Sequence, residues 1–184
     1  MNYKLYWFFS VCLLSGCSNT LLDDVYKHTN STDSKEMYAA FIILSNMELN
    51  DVSIVRIEQD YRAESDLVKR YLFEFVLAKR TQEESYIVSF IDSSKSNLPL
   101  LARNDSNWIS LGSPVLKLLS IYSTTSDEAL SILFLLIMDT NNASPGAISS
   151  GLRRVHKVDP ARFSRIAESM GLNLKEVLML MVDE

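Results

Sequence analysis

The chain has 184 residues, 47% of them apolar, with only five glycines and four prolines. That is a globular composition, and it excludes a largely disordered chain. Eighteen basic against twenty-three acidic side chains give a formal charge of −5, which argues against nucleic acid or a strongly anionic membrane surface as the main partner.

The first residues stand apart from the rest. Lys4 precedes a short apolar run, Leu5 to Leu14; small residues, Ser15 and Gly16, lead to Cys17, and polar Ser18-Asn19-Thr20 follow. The run is shorter than the roughly 20 apolar residues that cross a bilayer. A charged start, a short apolar middle and small residues at its end mark a removable targeting segment. Leu14-Ser15-Gly16-Cys17 resembles the lipobox of bacterial lipoproteins, which is cut before a cysteine that then carries lipid. The resemblance implies a signal peptide over residues 1–16, acylation (palmitate among the chains) at Cys17, and a lipid anchor in the envelope. Enterobacterial lipoproteins retained at the inner membrane carry aspartate after the cysteine. Ser18 at that place implies the outer membrane, facing the periplasm. Only the targeting segment is covered, so no activity follows. Cys12 leaves with the signal, Cys17 is used by the lipid, and no intrachain disulfide remains even in an oxidising compartment. Without Lys4 the charge becomes −6.

Residues 17–33 read as a lipidated tether, rich in Ser, Thr, Asn and Asp. A flexible coil of that length averages about 20–25 Å end to end and reaches about 50 Å when straight. Residues 34–184 read as one helical domain. Asp33 with Glu36 forms a capping-box pair before the apolar run Met37–Leu44. Asn50–Arg62 is ambiguous, because Val52–Ile57 is β-branched and fits a strand as well as a helix. Ser65 starts an amphipathic helix with Leu67, Val68, Tyr71, Leu72, Phe75 and Val76 on one face. Thr81 and Glu84 suggest a second capping box and a helix that folds back as an antiparallel hairpin. Asp92–Gly112 reads as a loop. Ser113-Pro114, Ser126, Ser144-Pro145, Asp159-Pro160 and Asn173 read as helix starts, and Gly171 as a left-handed helix end. The run Ile132–Met138 has no polar side chain and is expected to be the most buried element, Leu135 included. These elements make an all-α fold, either a compact multi-helix bundle or an α-solenoid-like stack of short hairpins. The alternative is an α+β fold in which Val52–Ile57 and Tyr86–Ile91 pair in a small sheet.

Little in the chain signals chemistry. There are two histidines, His28 in the tether and His156 among basic residues, and no His-Glu-x-x-His or Gly-x-Ser-x-Gly motif. Glu64-Ser65, Glu84-Ser85 and Glu168-Ser169 lack the downstream Gly-Leu-Met-Gln segment of lytic transglycosylases. The expectation is a chain that is not an enzyme and needs no metal or cofactor. One asymmetry stands out. Arg153, Arg154, Lys157, Arg162 and Arg165 outweigh Asp159 and Glu168 between Pro145 and Met170, for a local +3. Arg153, Arg154, Arg162 and Arg165 are therefore candidate partner-binding residues. Trp108, in the polar stretch Asn104–Ser110, is a candidate interface anchor. The expected role is a periplasm-facing protein-interaction module, an assembly or accessory factor. The alternative is an immunity or inhibitor protein that neutralises a periplasmic toxin or enzyme.

Overall fold

The computed structural model describes residues 21–102, 106–139 and 145–181, with the backbone alone at 106–111 and 145. The signal segment and Cys17 lie outside them. Every regular element is a helix. In chain order they are α1 (residues 21–28), α2 (Ser34–Asn46), α3 (Asp51–Ala63), α4 (Leu67–Thr81), α5 (Glu84–Ser96), α6 (Leu98–Leu101), α7 (Ser106–Tyr122), α8 (Asp127–Ile137), α9 (Pro145–Val158), α10 (Pro160–Ser169) and α11 (Leu174–Leu180). The all-α reading holds, and both segments considered as strands lie in helices, α3 and α5.

Local chemistry explains most helix ends. The Asp33 carboxylate accepts from the Lys35 N–H at 2.8 Å, Ser126 Oγ from Ala129 N–H at 3.1 Å, Asp159 from Arg162 N–H at 2.9 Å and Asn173 from Lys175 N–H at 3.0 Å. Each of these satisfies an amide with no partner inside its helix. Gly171 takes a φ of 71° after α10, the left-handed conformation that costs glycine nothing.

Several boundaries differ from the sequence reading. Asp66, not Ser65, caps α4 through the Lys69 N–H. Thr81 ends α4 instead of starting α5: its hydroxyl donates to the Leu77 carbonyl and accepts from the Glu83 N–H, while Gln82 turns the chain at φ 56°. Glu36 does not complete a capping box; it accepts from the Ser31 hydroxyl at 2.8 Å. The expected loop 92–112 is largely helical, since α5 runs to Ser96, α6 follows, and α7 begins at Ser106 and carries Pro114 inside it. Burial of Val115, Leu116, Leu118 and Leu119 beyond the proline holds that helix on the core, despite the amide that proline lacks.

The tether expectation is also corrected. Residues 21–28 are a helix, with Leu22, Val25 and Tyr26 buried in the common core. The Arg56 guanidinium of α3 lies 4.0 Å above the Tyr26 ring and pairs with Asp23 at 2.6 Å, which fastens α1 to α3.

Chain-distant contacts decide between bundle and stack. In a solenoid each repeat touches only its neighbours. Here α2 packs on α7 as well as α4, α5 reaches α8, and α7 packs on α9. The architecture is a compact bundle. Tyr71, Phe75, Phe90 and Tyr122 form its aromatic centre: Tyr71 and Phe90 stack at 5.6 Å, and the Tyr122 hydroxyl donates to the Ala78 carbonyl of α4. Helix α8 is the hub, touching α5, α6, α7, α9, α10 and α11. Its Leu130, Leu133 and Phe134 are fully buried, yet Leu135 is 41% exposed. The neighbours leave one side of α8 uncovered, and the sequence run alone does not show which.

Candidate docking surface

Three of the five basic side chains between Pro145 and Met170 are tied to other helices. Arg162 is 13% exposed, and its Nε donates to Asp127 of α8. Its Nη1 donates to the carbonyls of Ser123 and Thr124 at 3.0 Å each. Arg165, though 62% exposed, pairs with the same Asp127 at 3.2 Å. Arg153 donates to the Met181 carbonyl at 2.9 Å and so ties α9 to the end of α11. Arg154 and Lys157 are exposed, with no ion pair or side-chain hydrogen bond to another described residue. Arg153, Arg162 and Arg165 join helices together; their partners, 28 to 39 residues away, were invisible to local charge counting. Trp108 lies within helix α7 and not in a loop; its side chain is outside the described residues. His28 sits 3.5 Å from Glu36, and His156 packs edge-on to Phe163. Among the described residues, no group of three or more His, Cys, Asp or Glu gathers as a metal site.

One buried carboxylate is unusual. Glu74 of α4 is 3% exposed, and its Oε1 accepts from the Tyr61 hydroxyl at 3.1 Å, while its buried Oε2 has no hydrogen bond from a described residue. Burial pushes its carboxyl above the usual carboxylate range, and the nearby Ser93 and Tyr61 hydroxyls and Arg70 pull it partly back. Glu74 lines neither of the hollows along α5 and α8, and it reads as a buried structural carboxyl whose charged form burial disfavours.

An open surface lies along α5 and α8. Helices α5 and α8, with the end of α7, enclose a groove of about 760 Å³ lined by Ile87, Val88, Ile91 and Tyr122. It runs into a second hollow of about 190 Å³ lined by Ile132 and Leu135; the two share Ile91, Asp92 and Glu128. Val88 and Leu135 are 51% and 41% exposed, so apolar side chains stand open to water at both ends. Carboxylates edge the groove at Glu84, Asp92 and Glu128, and Lys95 is the one basic side chain along it among the described residues. The carboxylate of Asp127 also lies there, but Arg162 and Arg165 offset its charge and hold its carboxyl below the usual aspartate range.

Sequence reasoning missed this surface. Its signal is in the chain: Glu84, Val88 and Asp92 recur every fourth residue on α5, just off the stripe Ile87-Ile91 that faces the core.

No family model, curated protein or solved structure matches the chain. Among the described residues, no helix is long and apolar enough to cross a membrane.

Proposed function

We propose that this chain is an envelope lipoprotein, lipidated at Cys17 on the outer membrane's periplasmic face, which acts as a protein-interaction module and not as an enzyme. The anchor rests on the lipobox Leu14-Ser15-Gly16-Cys17. The interaction role rests on one observation: the α5–α8 groove leaves Val88 and Leu135 open between carboxylates. A cleft with an apolar floor and a polar rim is the usual anatomy of a surface that another protein covers. The binding residues proposed on this reading lie on α5 and α8, and Arg153, Arg162 and Arg165 serve the fold.

The sign of the rim also favours a second reading, an immunity or inhibitor protein that occupies the basic cleft of a periplasmic toxin or enzyme. Both readings place the contact at the same groove, and they separate on whether the captured partner is harmful without this chain.

The test has two arms in cells. Cys17→Ser should abolish incorporation of labelled fatty acid and release the protein from outer-membrane fractions on a density gradient; a freely soluble, unlabelled wild-type protein refutes the anchor. A photo-crosslinking residue at Val88 should capture a defined protein that the same residue at Val158, exposed on α9, does not. Identical capture at both positions, or none at Val88, refutes the interaction role.

A further inference from the structure

We propose that the occupant of the α5–α8 groove is a basic amphipathic helix of the partner protein, an inference that rests on the interaction-module reading above.

Three features select that occupant. The first is shape. The trough lies between two helices, and from Glu84 to Lys95 on α5 it extends about 16 Å at the helical rise, room for three turns of a third helix. A helix seated on two others lets its apolar ridge fill the trough over Ile91, which lines both hollows, and Ile132, which lines the smaller one. No strand occurs among the described residues, so a sheet edge for an extended peptide is not on offer there.

The second is polarity. Val88 and Leu135 supply apolar contacts to a seated ridge, while Glu84, Asp92 and Glu128 stand beside them. A ligand helix with leucine-like residues on one face and lysine or arginine flanking it meets both requirements at once. The third is selection against competitors. A second copy of this chain would bring one acidic rim against another, and an anionic bilayer surface would be repelled by the same carboxylates. Asp127 adds nothing to the negative field, since the two guanidinium groups paired with it exceed its charge by one; with Lys95 counted, the rim stays net negative by one charge.

The experiment uses the chain from residue 17 onward with Cys17→Ser, which keeps every described helix. Two labelled peptides of about four turns serve as probes: a Lys/Leu amphipathic helix and a Glu/Leu helix with the same apolar face. Fluorescence anisotropy should show the Lys/Leu peptide binding, and the Glu/Leu peptide weaker by roughly tenfold or more. The preference should shrink as salt rises, because exposed charges are screened over about 8 Å at physiological ionic strength. Glu84→Lys, Asp92→Lys and Glu128→Lys together should abolish the preference with an unchanged circular dichroism spectrum. Glu84 and Glu128 lie in the first turns of α5 and α8, so the neutral set Glu84→Gln, Asp92→Asn and Glu128→Gln gives the same readout if the lysine set melts early. Equal binding of both peptides, or no binding, overturns the inference. So does a sedimentation dimer that Val88→Glu dissolves. A chain that binds neither peptide but still cross-links a protein through residue 88 in cells loses this inference and keeps the interaction role; a chain that does neither loses both.

Discussion

Arg162 of α10 closes on Asp127 at the first turn of α8, and the same guanidinium supplies hydrogen bonds to the carbonyls of Ser123 and Thr124 just before that helix. One side chain thus joins α10 to the α7–α8 turn and satisfies carbonyls that the end of α7 leaves without helical partners. Arg162→Ala should lower stability by roughly 1–3 kcal/mol, the cost of stranding such groups, whereas Arg154→Ala should stay within about 0.5 kcal/mol. Chemical denaturation of the two variants decides it. The pH dependence follows from Asp127. The hydrogen bond from Arg162, first, and then Arg165 hold its carboxyl below the usual range, so the pairing contributes above the ordinary aspartate pKa and is lost as pH falls through the lowered value. Arg162→Ala should remove that part of the acid-side loss.

Leu133 and Leu135 separate the two sides of α8. Leu133 is fully buried and Leu135 is 41% exposed, so Leu133→Ala should cost about 2–5 kcal/mol, and Leu135→Asp should melt close to the wild type. The same Leu135→Asp change places a fourth free carboxylate in the groove and removes an apolar contact. A large loss of melting temperature in Leu135→Asp would show that this face of α8 is covered.

Glu74 gives a pH-dependent prediction of opposite sign to Asp127. Its carboxyl is raised in the folded state by burial, so the folded protein holds a proton that the unfolded chain releases. Its contribution is fully present below the ordinary carboxylate pKa and is lost as pH rises through the raised value. Glu74→Gln keeps an oxygen to accept from Tyr61 and removes the ionisation. Stability measured from pH 4 to 8 should fall less for Glu74→Gln than for the wild type, and equal slopes would refute the assignment.

Helices α7 and α9 approach closely at Gly151, where an added Cβ would lie 2.5 Å from Ser120 Oγ, 2.7 Å from its Cβ and 3.0 Å from Leu133 Cδ1. Ser120 cannot simply swing away, because its single hydroxyl proton is shared between the carbonyls of Leu116 and Ala147. Gly151→Ala should therefore destabilise by about 1–3 kcal/mol. Ser120→Gly removes two of the three clashing atoms, so the double variant should be less destabilised than the two single changes added together. Additive losses would mean that the helices part without strain.

What the sequence reveals about this fold is mostly local. Asp33, Ser126, Asp159, Asn173 and Gly171 act through their own backbone within a few residues, and each does what its chemistry dictates. The tether fails for a different reason. Leu22, Val25 and Tyr26 do follow helical spacing, but the surrounding polar residues hide a helix too short to stand without tertiary contacts such as the one with Arg56. The arginines mislead likewise, since a charge in sequence shows its sign and not the Asp127 that meets it across the bundle. The groove belongs to this class as well: Val88 and Leu135 look like any core residues until the helices beside them are placed.

If Cys17 carries the anchor proposed above, the docking of α1 has a consequence for geometry at the bilayer. With the anchor at Cys17, only residues 18–20 separate the lipid from the packed chain at Leu21, a covalent span of at most about 14 Å. A free tether of about 50 Å would let the domain sweep a deep hemisphere; the shorter leash confines it to a shallow layer, with a reachable volume smaller by more than tenfold. On that anchoring, partners rooted in the same leaflet would meet it as if highly concentrated, while those adrift in the periplasm would have to come down to the membrane to be caught.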